Sequence, residues 1–467
     1  MTGLHGTRPA IVRPGGAIID YARLDRAIDT MAAHARRYGL GPGDRATLRI
    51  TGPDETLDLI LLLGLARLGV GTAERPPDDG TPQLRFHAGD DTLPGAIRVD
   101  EGWMQDADGE PPAMHRDPDA VMRIFSSSGT TGVPKQVVVT QAQMTQRVLL
   151  RGLAEGGAAG VRLIALGLGG NFGLQMALRT LWNGGTIVLP DGRAGPVETL
   201  NRHGVTSLVA SPLSLRVLLD ALPDDAGPFP ALQTVHIGGS FLPPALYHQA
   251  AARLTPDIHV TMGSAEASGI ASGPVGAMLD RPGAVGTIWP GVEVEAQDED
   301  GQTLPPGEAG VLRIRSPMLA RGYLTPDPAA AERFQDGWFV SSDIGTVWPD
   351  GMLTLSGRVD EIINAGGVKV HPHVIESALL KLPTVLDAAA FGVPDRAGVV
   401  QIHAAIVARA RIEDAVLTAF CQHALKQIMP VAILQMRELP RNDNGKIMRE
   451  TLVDLALRMR NQHAANA

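Results

Sequence analysis

The stretch from Ser126 to Lys135 brings together groups that suit the oxygens of a polyphosphate. It reads Ser-Ser-Ser-Gly-Thr-Thr-Gly-Val-Pro-Lys, so hydroxyls, glycine backbone and a lysine lie close together. Successive backbone N–H groups and a nearby ammonium bind phosphate oxygens well. The apolar segments 121–125 and 137–140 predict a strand on each side. It is not a Walker A loop, because its lysine follows Pro134 and enters a strand instead of opening a helix.

Small or charged residues also occur in five later turn-like segments. Taken singly, each segment is ordinarily a glycine-rich turn, and Lys446 is ordinarily a solvent-exposed residue at the tip of a loop. In the same way, the serine-rich stretch taken alone is ordinarily a surface loop. Their meaning depends on their occurring together and in this order. The segments are His236-Ile-Gly-Gly-Ser240, Met262-Gly-Ser-Ala-Glu266, Ser341-Ser-Asp343, Gly357-Arg-Val-Asp-Glu361 and Pro440-Arg-Asn-Asp-Asn-Gly-Lys446.

Together these motifs resemble those of the adenylate-forming superfamily, which includes acyl-CoA synthetases, adenylation domains of peptide synthetases and firefly-type luciferases. The resemblance extends over nearly the whole chain. It implies ATP- and Mg²⁺-dependent activation of a carboxylate as acyl-AMP with release of pyrophosphate, followed by acyl transfer to coenzyme A. The closest alternative delivers the acyl group to the phosphopantetheine arm of an acyl or peptidyl carrier protein. A luciferase-like oxygenase is a further alternative, which nothing in the sequence favours.

The resemblance also implies roles for individual residues. Lys446 would be catalytic, supplying positive charge where the adenylation transition state is most anionic. Glu266 would be catalytic too, by holding Mg²⁺ against the ATP phosphates, and Asp343 would accept hydrogen bonds from the ribose hydroxyls. The residues expected to bind ATP and AMP are Ser127, Ser128, Gly129, Thr130, Thr131, Gly132, Lys135, Gly239, Ser240, Met262, Gly263, Asp343 and Arg358.

The segment around Gly170 bears on which acid is used. Gly170 occupies the place of a histidine in many acyl-CoA synthetases and of an aspartate in amino-acid-activating domains. No carboxylate occurs in residues 167–173, and a buried ammonium without a partner is costly. An acyl or aryl acid is therefore favoured over an ordinary α-amino acid. The residues expected to line the acyl pocket are Gly170, Asn171, Phe172, His236, Gly238 and Ser264.

Two further roles follow from the resemblance. Asp360 would be the hinge between a large and a small domain, and Gly366 and Gly367 would line the tunnel for the incoming thiol.

Three positions depart from the family's pattern. Met262 stands where an aromatic residue stacks on adenine, and Ala265 where a threonine meets the α-phosphate. Gln136 stands where a glycine follows the loop lysine. These departures keep open an alternative of another class, a catalytically weakened nucleotide-binding relative.

The elements that must position these residues alternate between helices and strands up to about residue 285. Alternation of this kind predicts an α/β fold. From residue 286 short alternating strands predict a β-rich subdomain. We expect a large N-terminal AMP-binding domain of layered α/β subdomains, residues 1–358, with the β-rich part at about 286–358. A small mobile α+β lid domain, residues 359–467, should follow.

Composition narrows the class of protein. The 467 residues carry a net charge of −9, which argues against nucleic acid as a partner. Cys421 is the only cysteine, so no disulfide can form within the chain. The N-terminus has no apolar signal core, and the most apolar run, 57–65, is too short to span a bilayer. We expect a cytoplasmic protein with no transmembrane segment.

Overall fold

The computed structural model describes residues 5–50, 54–76, 79–80, 84–88, 95–105, 112–126, 135–155, 159–192, 194–227, 229–326, 328–365, 367–395, 397–441 and 446–466. Its helices and strands confirm the predicted mixed α/β fold class.

The helices are α1 Tyr21–Arg37, α2 Thr56–Arg67, α3 Gln141–Glu155, α4 Asn171–Trp182, α5 Gly195–Arg202, α6 Pro212–Asp220, α7 Pro244–Arg253, α8 Pro328–Ala331, α9 Pro372–Leu379, α10 Asp414–Leu425 and α11 Arg449–Asn466.

The strands are β1 Pro9–Val12, β2 Ile18–Asp20, β3 Arg45–Leu48, β4 Gly71–Ala73, β5 Leu84–His87, β6 Ile97–Arg98, β7 Val121–Ser126, β8 Gln136–Thr140, β9 Val161–Ile164, β10 Thr186–Val188, β11 Ser207–Ala210, β12 Thr234–Ile237, β13 Ile258–Ser264, β14 Ser268–Pro274, β15 Ala284–Ile288, β16 Glu293–Gln297, β17 Ala309–Arg315, β18 Gly322–Tyr323, β19 Phe334–Gln335, β20 Trp338–Val347, β21 Met352–Arg358, β22 Ile363–Ala365, β23 Val368–Val370, β24 Val385–Pro394, β25 Val400–Ala408 and β26 Ala432–Met436.

The larger sheet has the order β16-β17-β20-β21-β15-β14-β13-β12-β11-β9-β10-β1-β2, with β19 beside β20. Strands β1 and β9 to β13 pair in parallel, because helices connect them. From β13 to β16 along this order the pairing is antiparallel. The change of pairing therefore falls at the β13–β14 hairpin, which carries Glu266 between its strands.

The smaller sheet has the order β18-β8-β7-β4-β3-β5-β6. Its strands β7 and β8 are antiparallel neighbours, with Ser126 opposite Gln136. This pairing confirms the two strands predicted on either side of the candidate phosphate loop. Strand β5 is short and lies between segments rich in proline, glycine and aspartate, yet its residue Phe86 is buried in the core.

Apolar faces explain how the layers are held together. Helix α1 is amphipathic and buries seven residues on one side, and the Asp20 carboxylate caps it by accepting from the Arg23 amide. Helix α2 is apolar on nearly all sides and is buried between neighbours. Among the described residues, no helix combines the length and the apolar character that crossing a membrane requires.

After Arg358 the chain forms separate small sheets, a hairpin of β22 and β23 and a three-stranded sheet of β24, β25 and β26. Their residues enclose a core of their own, centred on Ile375, Leu379, Ile406 and Leu417. The division of the chain into domains at residue 358 stays a prediction.

Candidate active site

The candidate phosphate loop is described at its two ends. Ser127, Ser128, Gly129, Thr130, Thr131 and Gly132 lie outside the described residues. Lys135 directly precedes the return strand β8, and its ammonium lies 5.3 Å from the centre of the Tyr323 ring. Gln136 donates from its side-chain amide to the backbone oxygens of Arg75 and Pro76, at 3.4 and 3.2 Å. The unusual glutamine therefore anchors the end of the loop to a neighbouring segment.

Glu266 lies in the short connection between β13 and β14, where Ser264 pairs with Ser268. The Ser264 hydroxyl accepts a hydrogen bond from the Ala267 amide at 3.0 Å. Ser268 has a φ of 64°, the left-handed conformation that closes hairpin loops of this length. At Gly263 a Cβ would lie 2.1 Å from the Ser268 carbonyl oxygen, so this position requires glycine. The hairpin thus holds Glu266 in a tightly defined place.

Tyr323 is a site residue that sequence reasoning missed. Its hydroxyl donates to Glu266 Oε1 at 2.9 Å. Desolvation, with the charge of Glu266 adding to it, raises the pKa of Tyr323 well above its usual value, so the phenol stays protonated and can donate. Tyr323 therefore contacts both the loop lysine and the candidate metal carboxylate.

The residues around Glu266 fit a Mg²⁺ ion only if a bound nucleotide supplies further ligands to it. Within the described part of the chain, no group of three or more acidic, histidine or cysteine side chains could hold a metal ion. Mg²⁺ commonly takes one or two carboxylates and completes its shell with phosphate oxygens and water. A single buried carboxylate, with one oxygen held by Tyr323, is compatible with that role.

The candidate acyl pocket lies where α4 begins beside β12 and the Glu266 hairpin. Gly170 is the N-cap of α4, and the Phe172 ring covers Gly238 so closely that a Cβ there would lie 2.8 Å from it. Asn171 donates to the Ser264 carbonyl oxygen at 3.1 Å. The structure therefore brings Gly170, Asn171, Phe172, Gly238 and Ser264 together as one wall.

His236 lies on β12 and pairs with His259 of β13, with ring centres 6.0 Å apart. His236 is buried, and His259 is 2.8 Å from the Asp257 carboxylate. After β12 the chain turns through Gly239 with a φ of 95°, next to Ser240. Met262 lies two residues before Ser264 on β13 and is partly buried against the β-rich core.

Carboxylates from other parts of the chain reach residues 167–169. Glu55 accepts a hydrogen bond from the Leu168 amide at 2.7 Å. A Cβ on Gly169 would lie 3.4 Å from Glu74 Oε1, and Glu74 is 3.7 Å from the buried Arg123 guanidinium. The local sequence argument did not cover these groups, yet both are already engaged by protein donors.

Asp343 and Arg358 are direct partners across β20 and β21. Arg358 Nη1 donates to Asp343 Oδ1 at 3.1 Å. Burial raises the pKa of Asp343, and the positive charges of Arg358 and Lys446 oppose that rise. The two candidate nucleotide residues therefore form one ion pair at the edge of the cleft.

Asp360 accepts from Arg358 Nε and Nη2 at 3.0 and 2.9 Å. It lies in a short 3₁₀ turn, Val359–Glu361, which directly follows β21. Glu361 is 3.7 Å from Arg358 and 3.0 Å from Arg449 at the start of α11. The predicted hinge is thus the centre of a chain of ion pairs.

Lys446 enters the same cleft from the C-terminal part of the chain. Its ammonium interacts electrostatically with Arg358, Asp343, Glu266 and Glu361. Desolvation, with the nearby Arg358 charge, lowers the pKa of Lys446. The residue as a whole is exposed to solvent, while its ammonium lies within electrostatic range of these four charged side chains. The structure therefore brings Lys446 to Asp343 and Glu266, from which it is far apart in sequence.

Gly367, one of the two candidate tunnel glycines, lies between β22 and β23. Gly367 has a φ of 95°, and its amide donates to the Asn364 side chain at 3.1 Å. Gly366 lies outside the described residues.

This arrangement has the parts needed for acid activation. The ammonium of Lys446, the carboxylate of Glu266 held by Tyr323, and the carboxylate of Asp343 lie within electrostatic range of one another. Such preorganised charges stabilise a transition state in which negative charge builds up on phosphate.

Two family models match the chain, "AMP-binding enzyme" over residues 77–324 and "AMP-binding enzyme C-terminal domain" over residues 374–446. A sulfoacetate–CoA ligase of Cupriavidus necator is 33% identical over 353 residues, covering 73% of this chain and 68% of the relative. A feruloyl-CoA synthase of an Amycolatopsis species is 27% identical over 463 residues, covering 94% of each. The structure of o-succinylbenzoate CoA synthetase of Bacillus subtilis, in complex with its acyl-adenylate, has the same fold. The TM-score is 0.84 at 24% identity, over 97% of this chain and 96% of that one.

Proposed function

The chain belongs to the AMP-binding enzyme family of adenylate-forming acid–thiol ligases, and on that premise we propose that it joins a carboxylic acid to coenzyme A. The carboxylate attacks the α-phosphate of ATP and pyrophosphate leaves. The thiol of coenzyme A then attacks the acyl-AMP and AMP leaves. The observation that supports the proposal is that Lys446 lies within electrostatic range of Asp343 and of Glu266, the carboxylate that Tyr323 holds.

Each of these side chains then has one task. Lys446 supplies charge to the crowded transition state at the α-phosphate. Glu266, held by Tyr323, would hold the Mg²⁺ that neutralises the charge of the phosphates. Asp343 accepts from the ribose hydroxyls, and Lys135 lies beside the loop that receives the phosphate chain. No side-chain nucleophile is required, because acyl-AMP is a mixed anhydride that a thiol attacks directly.

The acid is an acyl or aryl carboxylic acid and not an ordinary α-amino acid. Residues 167–173 contain no carboxylate to pair with an ammonium. Glu55 and Glu74, which approach residues 167–169, are engaged by the Leu168 amide and by Arg123. An α-ammonium at Gly170 would therefore find no carboxylate within residues 167–173 to pair with, and a buried ammonium without a partner is costly.

A carrier protein's phosphopantetheine arm is the second candidate acceptor, because it presents the same thiol as coenzyme A. Coenzyme A is favoured because both curated relatives described above are named as CoA ligases or synthases. The acceptor and the acid can be tested together.

A panel of aliphatic, aromatic and amino acids should be assayed for pyrophosphate release with ATP and Mg²⁺, with and without coenzyme A. We expect release with a non-amino acid and thioester formation when coenzyme A is present. Strongest release with a proteinogenic amino acid would contradict the pocket argument. Release without any acyl-CoA product would favour a carrier protein, and binding of ATP without release would indicate a non-catalytic relative.

A further inference from the structure

Arg147 lies in the middle of α3, in a segment that no motif covers, and its side chain is fully buried. Its guanidinium donates in three directions. Nε donates to the Met318 carbonyl oxygen at 3.0 Å, and Nη1 to Asn171 Oδ1 at 2.9 Å. Nη2 donates to the carbonyl oxygens of Ala265 and Glu266, at 2.9 and 3.3 Å. All of these acceptors except the Met318 oxygen belong to the candidate site.

The charge of Arg147 is retained in spite of its burial. Desolvation lowers its pKa to about 9, and the negative charge of Glu266 opposes the decrease. The guanidinium is therefore protonated at neutral pH. Arginine suits this place because its planar fork directs several donors along fixed lines, which a lysine ammonium cannot reproduce.

The bonds of Arg147 join two walls of the site. Asn171, on the acyl side, also accepts from Gln175 at 2.6 Å and donates to the Ser264 carbonyl at 3.1 Å. The hairpin, on the metal side, carries Glu266. Each wall is thereby fixed relative to the other through one side chain.

We propose that Arg147 is a positioning residue that couples the acyl wall at Asn171 to the Mg²⁺-binding carboxylate Glu266, an inference that rests on the proposed function. It touches neither substrate. It sets the distance between the place of the acid and the place of the metal–nucleotide complex, so a change on one wall alters the other.

The test compares Arg147→Lys with Arg253→Lys. Arg253 is the matched control because it also donates to three backbone carbonyls, those of Leu219, Leu222 and Pro223, outside the candidate site. We expect Arg147→Lys to raise both the KM for the acid and the Mg²⁺ concentration for half-maximal rate, each by about tenfold. Arg253→Lys should leave both constants unchanged, although it should shift the melting temperature by about as much as Arg147→Lys does. Unchanged constants in Arg147→Lys, or a change in only one of them, would overturn the proposal.

A second variant keeps the test decisive if Arg147→Lys does not fold. Asn171→Ala removes the acceptor of Arg147 on the acyl side, together with the donor to the Ser264 carbonyl oxygen, and leaves the Glu266 side chain itself unchanged. We expect it to raise the Mg²⁺ requirement for ATP binding several-fold, measured by equilibrium titration of ATP without turnover. An unaltered requirement would refute the coupling. Because this readout needs no acid, a wild-type protein that binds Mg·ATP but releases no pyrophosphate would count against the proposed function only.

Discussion

Two buried or partly buried arginines in this cleft are held in opposite ways. Arg147 donates to neutral oxygens, which are three backbone carbonyls and the side-chain amide of Asn171. Its side chain is inaccessible to solvent. Arg358 is surrounded by the carboxylates of Asp343, Asp360 and Glu361, and its side chain is 28% exposed. Directed bonds to backbone oxygens fix one geometry, whereas ion pairs near solvent exchange partners at small cost. We infer that the hairpin carrying Glu266 keeps one fixed conformation, whereas the chain around Arg358 can change its conformation.

The largest effect is expected when the positive charge of Lys446, which the C-terminal part of the chain brings to the site, is removed. Lys446→Ala should slow acyl-AMP formation by about 10²–10³-fold, because preorganised charge at a transition state contributes about that much. Thioester formation from supplied acyl-AMP should be nearly unaffected. Lys381→Ala, which removes an exposed lysine of the same part of the chain, is the control. Equal loss of both half-reactions would contradict separate roles for the two regions.

The hinge itself can be blocked by restricting its backbone. We infer that the chain turns about Asp360 between two orientations: the one seen here brings in Lys446 for adenylation, and the other withdraws it and admits the thiol. Asp360→Pro fixes φ near −65° and should therefore trap one of these orientations. We expect acyl-AMP to accumulate while thioester formation fails, as measured in single-turnover reactions. Asp360→Ala loses the same bonds to Arg358 without fixing φ, and it should retain both steps. Wild-type yields of both products from the proline variant would mean that the chain does not pivot at this residue.

The pH dependence should separate the half-reactions. Lysine titrates near pH 10.4 in water, and desolvation lowers the pKa of Lys446. Its charge is present below that lowered pKa and is lost as the pH rises through it. Adenylation should accordingly decline at a lower pH than an ordinary lysine would lose its charge, whereas thioester formation at a fixed thiolate concentration should not follow the same curve. A pH–rate profile of acyl-AMP formation that declines only where an ordinary lysine titrates would contradict this placement.

The smallest effect on the reaction is expected from a change beside Glu266. Tyr323→Phe removes one hydrogen bond to Glu266, and bonds to charged groups contribute roughly 1.5–3 kcal/mol. With water able to replace the phenol, we expect the Mg²⁺ requirement to rise by about threefold to tenfold and the KM for the acid to change little. Tyr247→Phe, at an equally buried tyrosine of α7, is the control. An unchanged Mg²⁺ titration would mean that the phenol does not orient the carboxylate.

The residues that sequence motifs could locate are those with a distinctive local pattern. Lys446, Asp343 and Glu266 each lie in a short motif, and the structure brings them into one cleft. Arg147 and Tyr323 were missed, since one lies on a helix without a motif and the other on a two-residue strand. Their contacts with Glu266 span 119 and 57 positions in the sequence, and no local pattern encodes such contacts.

The fold likewise has features that a local sequence pattern predicts and features that it does not. Longer elements such as α1 and β7 could be predicted from apolar spacing alone. The point where the large sheet changes from parallel to antiparallel pairing could not be predicted, because it depends on how β13 and β14 meet.

The most direct test of the account is to lock the orientation seen here. Lys369 lies 3.8 Å from Glu299, both side chains are exposed, and Cys421 is buried. A Glu299→Cys/Lys369→Cys variant can therefore be joined by a short bismaleimide linker between the two parts of the chain. Acyl-AMP and thioester should then be quantified before and after linking. We predict that the linked protein still forms acyl-AMP and makes almost no thioester, whereas the unlinked variant makes both. Thioester formation at the unlinked rate in the linked protein would contradict the claim that this orientation serves adenylation alone.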